Sequence, residues 1–204
     1  MSVFTNQTIK NEEITLLNNV VNRLAHQLVM EDCIINFKLT SRALICAQAK
    51  FLNCTLNFKT RLNNHPFSSV YFENCTFKGK LSSSEFGRRK WIHEPEKEKI
   101  IAGIKNCDFS EVTVFDGIRF IDCDIDTIIF PKFPHFVVKY PFKNAQKILD
   151  SNLPKLFKSL FEPNKWLMET DNALLFNFNE SAKYYDISVE EFKNLISQYD
   201  FIEM

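Results

Sequence analysis

The residues that do chemistry most readily are sparse in this chain and widely spaced. The four histidines, His26, His65, His93 and His135, fall in different segments, and none stands at metal-ligand spacing from a cysteine. The six cysteines include no Cys-x-x-Cys pair. No glycine-rich phosphate loop, Gly-x-Ser-x-Gly elbow or His-Glu-x-x-His pair occurs. Asp122, Asp124 and Asp126 alternate around Cys123 and Ile125, so a strand would present them on one outward face, with Asp116 nearby. Calcium would need a glycine and a spaced glutamate that are missing, and a solvated face is the expectation. These readings point to a non-enzymatic protein with no catalytic residue, cofactor or metal. The stretch richest in recognition chemistry is 82–99, which contains Arg88, Arg89, Lys90, Trp91 and His93. Arginine and tryptophan dominate binding hot spots, so these five are the candidate partner-binding residues.

Such residues need a scaffold, and the cysteines reveal it. Five of the six sit in one local frame: an apolar residue, any residue, Asn or Asp, Cys, any residue, an apolar residue. The instances are Met30-Glu-Asp-Cys33-Ile-Ile35, Phe51-Leu-Asn-Cys54-Thr-Leu56, Phe72-Glu-Asn-Cys75-Thr-Phe77, Ile104-Lys-Asn-Cys107-Asp-Phe109 and Phe120-Ile-Asp-Cys123-Asp-Ile125. Cys33, Cys54 and Cys75 are 21 apart; Cys107 follows by 32, and Cys123 by a further 16. The frame thus advances by a coil, a coil, a coil with an 11-residue insertion, and a coil less one five-residue face. Self-similarity at such a period is the mark of a solenoid. Four short faces make each coil, large apolar residues point into the tube, and the small buried cysteine leaves room beside them. Stacked Cys33, Cys54 and Cys75 then form a thiol ladder that serves core packing, and the preceding Asn or Asp faces out or supports a corner.

This frame resembles that of the pentapeptide-repeat family, in which a small residue and Asp or Asn precede Leu or Phe. Cys33 to Ile35, Cys54 to Leu56, Cys75 to Phe77, Cys107 to Phe109 and Cys123 to Ile125 carry the likeness. The resemblance implies a mainly β fold, a right-handed parallel β-helix, over residues 30–130. It also admits end-to-end homodimers and, in some members, mimicry of B-form DNA that protects a DNA topoisomerase.

A solenoid needs caps on its terminal edges. Residues 1–29, with Ile14, Leu16, Leu17, Val20, Val21 and Leu24, read as an N-terminal cap or imperfect first coil. Three prolines between Pro131 and Pro141 punctuate the chain, and the spacing beyond is helical. Phe142, Ala145, Ile148 and Leu149 predict one helix; Leu153, Leu156, Phe157 and Leu160 predict another. Ser188 to Glu191 is a capping box opening a third. Residues 131–204 are therefore a linker and a C-terminal α-helical subdomain. The segment 82–99 is an insertion projecting from the tube.

Composition supports a solenoid: 21 phenylalanines and only 4 glycines, against a usual glycine share of about 7 %. Charges balance at 25 to 25, which drives neither nucleic-acid nor membrane association. No secretory leader or membrane span is read, and the cysteines fit a reducing, cytoplasmic setting. Residues 30–130 carry 14 Lys and Arg against 13 Asp and Glu, a poor match to a duplex mimic unless charge segregates by face. The leading expectation is a protein-binding module, for instance a bacterial immunity protein that neutralises a toxin by direct binding. The alternatives are the topoisomerase protector, or an effector or scaffold domain.

Overall fold

A computed structural model describes residues 1–88, 102–163, 165 and 167–204. Two all-parallel sheets stack along a β-solenoid. The first contains Ser2–Thr5 and Thr8–Lys10, both against Asn22–Glu31, then Leu44–Leu52, Tyr71–Glu73 and Gly103–Lys105. The second contains Glu13–Leu17, Ile34–Lys38, Thr55–Asn63, Thr76–Ser82, Cys107–Val114 and Ile128–Ile129. Ile34 faces Thr55 and Thr55 faces Thr76, the 21-residue step of the cysteines. Ile128 stacks on Cys107, which leaves Cys123 one five-residue face earlier.

Each cysteine frame straddles a corner, and its chemistry fits the corner's needs. Asp32, Asn53, Asn74, Asn106 and Asp122 all adopt positive φ, between 45° and 56°. Asn and Asp tolerate this left-handed conformation better than other side-chain-bearing residues. The asparagines also form rungs: Asn106 donates to Asn74 at 3.2 Å and Asn74 to Asn53 at 3.1 Å. Inside, Phe37, Phe58, Phe77 and Phe109 stack in a column with centroids 4.9, 6.4 and 4.2 Å apart. All four are buried, and each contributes about 1.5–3 kcal/mol of burial. Gly79 stands where the coils touch: a Cβ there would lie 2.3 Å from the Phe58 carbonyl oxygen.

The ends differ from the sequence expectation. Residues 1–17 form a first coil in parallel register with the second, which already opens at Asn22, so of the two readings of 1–29, cap and imperfect first coil, the coil is the one formed. Phe4, Ile9 and Ile14 turn inward to the shared core. Residues 131–204 do hold helices at Pro141–Leu149, Lys155–Ser159, Phe178–Tyr185 and Val189–Ile196, the last opened by Glu191 N–H donating to Ser188 at 3.1 Å. They also contribute three unforeseen strands, His135–Lys139, Asp171–Asn177 and Ile202–Glu203. Asp171–Asn177 pairs antiparallel with Ile118–Ile121, the last solenoid strand of a third sheet. The solenoid's open edge is thereby covered, which blunts aggregation through it. Ala173-Leu-Leu-Phe176 is buried almost throughout, so it lacks the alternation that marks a strand in sequence.

Part of the segment read as an insertion, 82–99, belongs to the solenoid. Glu85–Gly87 is a solenoid strand pairing with Ile118–Ile121, and Phe86 stacks between Phe67 and Phe120 at 5.1 and 5.9 Å. Ser83, at positive φ, makes the corner before it. No helix among the described residues is long and apolar enough to cross a membrane.

Candidate partner-binding groove

The strand Glu85–Gly87 ends at Gly87, where a Cβ would come within 1.9 Å of the Ile121 carbonyl oxygen. Arg88 donates its backbone N–H to that oxygen at 2.9 Å and is half-buried. It is the last described residue before Arg89. Arg89, Lys90, Trp91 and His93 lie outside the described residues. The next solenoid strand begins at Gly103, whose N–H donates to the Val70 carbonyl at 3.1 Å.

Beside Gly87 runs the acidic turn. Asp122, Asp124 and Asp126 are exposed, but not as one strand face. Asp124 accepts the Asp126 N–H at 3.1 Å and caps a 3-10 turn over Ile125–Thr127. This local side-chain bond competes with strand pairing, which alternation alone cannot reveal.

A concavity lies elsewhere, where the solenoid meets the C-terminal segment. A cavity of about 650 Å³ is walled by Phe115 and Asp116 on one side and by Leu160, Phe176, Glu180 and Tyr184 on the other. A second, of about 360 Å³, shares Asp116, Leu160 and Phe176 and continues to Ser84, Glu85 and Arg119. Together they form one groove. Gly117 lets the walls close: a Cβ there would meet the Phe176 ring at 2.9 Å. Asp116 is oriented by the Ser83 hydroxyl and the Gly117 N–H, both donating at 2.8 Å. Arg119 forms a fork with the buried Asp171 at 3.2 and 2.6 Å and reaches Glu85 at 3.7 Å. Tyr184, 70 % exposed, stands edge-on to Tyr185 at 5.2 Å. Burial pushes the Tyr185 phenol well above its ordinary range, so it stays protonated. The sequence reading missed this groove because its walls are far apart in the chain and share no repeat.

The chemically capable groups elsewhere are locked into structure. Burial pushes His65 down to about 4, and its ring stands edge-on to Phe67 at 4.5 Å. The thiol ladder caps backbone: Cys54 donates to Met30 and Leu52 carbonyls at 3.4 and 3.3 Å, and Cys75 to Phe51 and Glu73 at 3.3 and 3.4 Å. Bonds to the Cys107 and Cys54 thiols, with burial, push the Cys75 thiol far up. Burial pushes Cys123 up to about 12. Cys75 and Cys123 are therefore neutral and poorly nucleophilic at physiological pH, while the bond to Cys75 shifts the Cys54 and Cys107 thiols downward. Among the described residues, no three of His, Cys, Asp and Glu converge to hold a metal ion. Comparison with models of known protein families, with curated proteins and with solved structures finds no match to this chain.

Proposed function

We propose that this chain is a non-enzymatic binding module that captures another protein in the groove between the solenoid and its C-terminal segment. The groove's construction carries this reading. Its walls belong to elements joined through Arg119 and Asp171 across paired strands, so little order has to be imposed when a partner binds. Tyr184 projects into it with most of its surface free, and exposed tyrosines are typical interface anchors. Neutralising a toxin by direct binding would be one form of this activity, as would occupying another enzyme.

The arrangement of charge weighs against mimicry of a DNA duplex. Lys10 pairs with Glu31 at 2.5 Å, Lys105 with Glu73 at 4.0 Å and Lys78 with Glu111 at 2.6 Å. Acidic and basic groups thus alternate from coil to coil on the sheets, where a mimic needs uniform negative charge.

The test is affinity capture from lysate of the source cells, comparing the intact protein with Tyr184→Asp and with a variant lacking residues 89–101. One stoichiometric partner, retained by the folded intact chain and lost with Tyr184→Asp, supports the groove. Loss only with the deletion moves the site to the insertion. No stoichiometric partner for any form overturns the binding reading.

A further inference from the structure

One longitudinal strip of the solenoid breaks the alternation of charge. Lys38 and Lys59 directly follow Phe37 and Phe58, which pair with each other; Lys80 follows Gly79, which pairs with Phe58. The column is bounded by Leu17, in register with Lys38, and by Thr113, in register with Lys80. Three lysines therefore stack on three successive coils, about 4.8 Å apart per coil. All three are exposed. Among the described residues, none of them has a carboxylate within ion-pair distance, unlike Lys10, Lys78 and Lys105.

The backbone adds to the strip. Phe58 faces Gly79 but Leu62 faces Leu81, so Lys59, Thr60 and Arg61 stand opposite Lys80 alone. This bulge turns Lys59 and Arg61 outward, as bulges do where a strand must re-aim side chains. Both are exposed, and Arg61 places its guanidinium 5.0 Å above the Phe115 ring. Phe115 is itself a wall of the groove. The strip therefore leads to the groove's mouth.

Like charges opposite one another on neighbouring strands destabilise a sheet. Among the described residues no carboxylate offsets that repulsion, in a chain of zero net charge. We propose that Lys38, Lys59, Arg61 and Lys80 form a docking strip for a short acidic segment of the partner protein, lying along the solenoid axis and entering the groove over Phe115. The proposal rests on the protein-binding reading and names the partner's chemistry. The strip's length argues for a short segment: two coil steps span about 10 Å, and an extended chain presents alternate side chains about 7 Å apart. Two or three carboxylates match it. A long nucleic acid would overrun the strip onto Glu13 at one end and onto Glu111 and Asp116 at the other, all exposed acids.

The full-length protein is titrated into fluorescein-labelled peptides of alternating Glu and Ser, and of alternating Gln and Ser, and into oligothymidylate. The triple variant Lys38→Gln, Lys59→Gln, Lys80→Gln is compared with the control Lys132→Gln, Lys143→Gln, Lys155→Gln, which removes equal charge elsewhere. The acidic peptide should bind, weaken as salt rises, and lose about tenfold or more in affinity with the strip variant while the control stays within about twofold. Equal loss in the control, no preference over the glutamine peptide, or no binding overturns the strip. Tighter binding of oligothymidylate overturns the polypeptide assignment. In the capture experiment, a partner lost by Tyr184→Asp but kept by the strip variant overturns the strip while leaving the groove standing.

Discussion

Nε2 of His135 accepts the backbone N–H of Val114 at 3.1 Å, fastening the first strand of the C-terminal segment to the last residue of a solenoid strand. Nδ1 donates to the Lys132 carbonyl at 3.1 Å, and Asn177 Nδ2 lies 3.3 Å from Nε2. The ring is therefore needed neutral, with Nε2 as acceptor. Burial holds its pKa below the ordinary value, and His65 is held lower still, at about 4. A histidine whose folded pKa is depressed contributes stability above its unfolded pKa of about 6.5 and loses that contribution as pH falls.

Stability should accordingly be flat above about pH 6.5 and decline toward pH 5, before the carboxylates titrate. Urea midpoints measured from pH 8 down to pH 5 check this. Substituting His65 by Phe should flatten part of the decline. A midpoint that rises on acidification contradicts the assignment.

Arg119 and Asp171 join the solenoid's last strand in the third sheet to the strand that covers it. The Asp171 carboxylate is fully buried and also accepts the Met168 N–H at 2.7 Å. Removing the guanidinium leaves that charge unpaired, so Arg119→Ala should destabilise by roughly 3 kcal/mol. The exposed Lys165–Glu162 pair should contribute under about 1 kcal/mol. Equilibrium unfolding of Arg119→Ala and Lys165→Ala, compared at one pH, decides whether the two differ as expected.

The corner asparagines should show a conformational rather than a packing cost. Asn74 sits at φ 54° with its amide bonded to Asn53 and Asn106. Replacement by Ala should cost about 1–2 kcal/mol from left-handed strain, beyond the lost rungs. Gly removes the strain and should recover much of that loss despite lacking the amide. If Asn74→Gly is as unstable as Asn74→Ala in urea, the hydrogen-bonded ladder, and not the backbone, dominates the corner.

The regular part of the fold was readable because its rules are local and repeat. The corner selects Asn or Asp for its left-handed backbone, the next position selects small buried Cys, and the inward positions select Phe. That pattern recurs wherever the second sheet is entered, from Cys33 to Cys107. The frame at Cys123 marks the neighbouring corner, as its shortened spacing required. Ser188 and Glu191 were readable for the same reason, since a cap is decided within four residues.

What the sequence by itself determined is the solenoid: its period, its core phenylalanines and its corners. Tertiary structure decided how the solenoid ends and what it offers a partner. Asp171–Asn177 is a strand because the edge of Ile118–Ile121 was open to receive it, and Arg119 meets Asp171 across 52 residues. Residues 1–17 form a coil because the edges of Asn22–Glu31 and Ile34–Lys38 template them. The groove exists only where these two architectures abut. Non-local pairing is settled by which edges and faces remain unsatisfied after local structure forms, and no spacing along the chain records that.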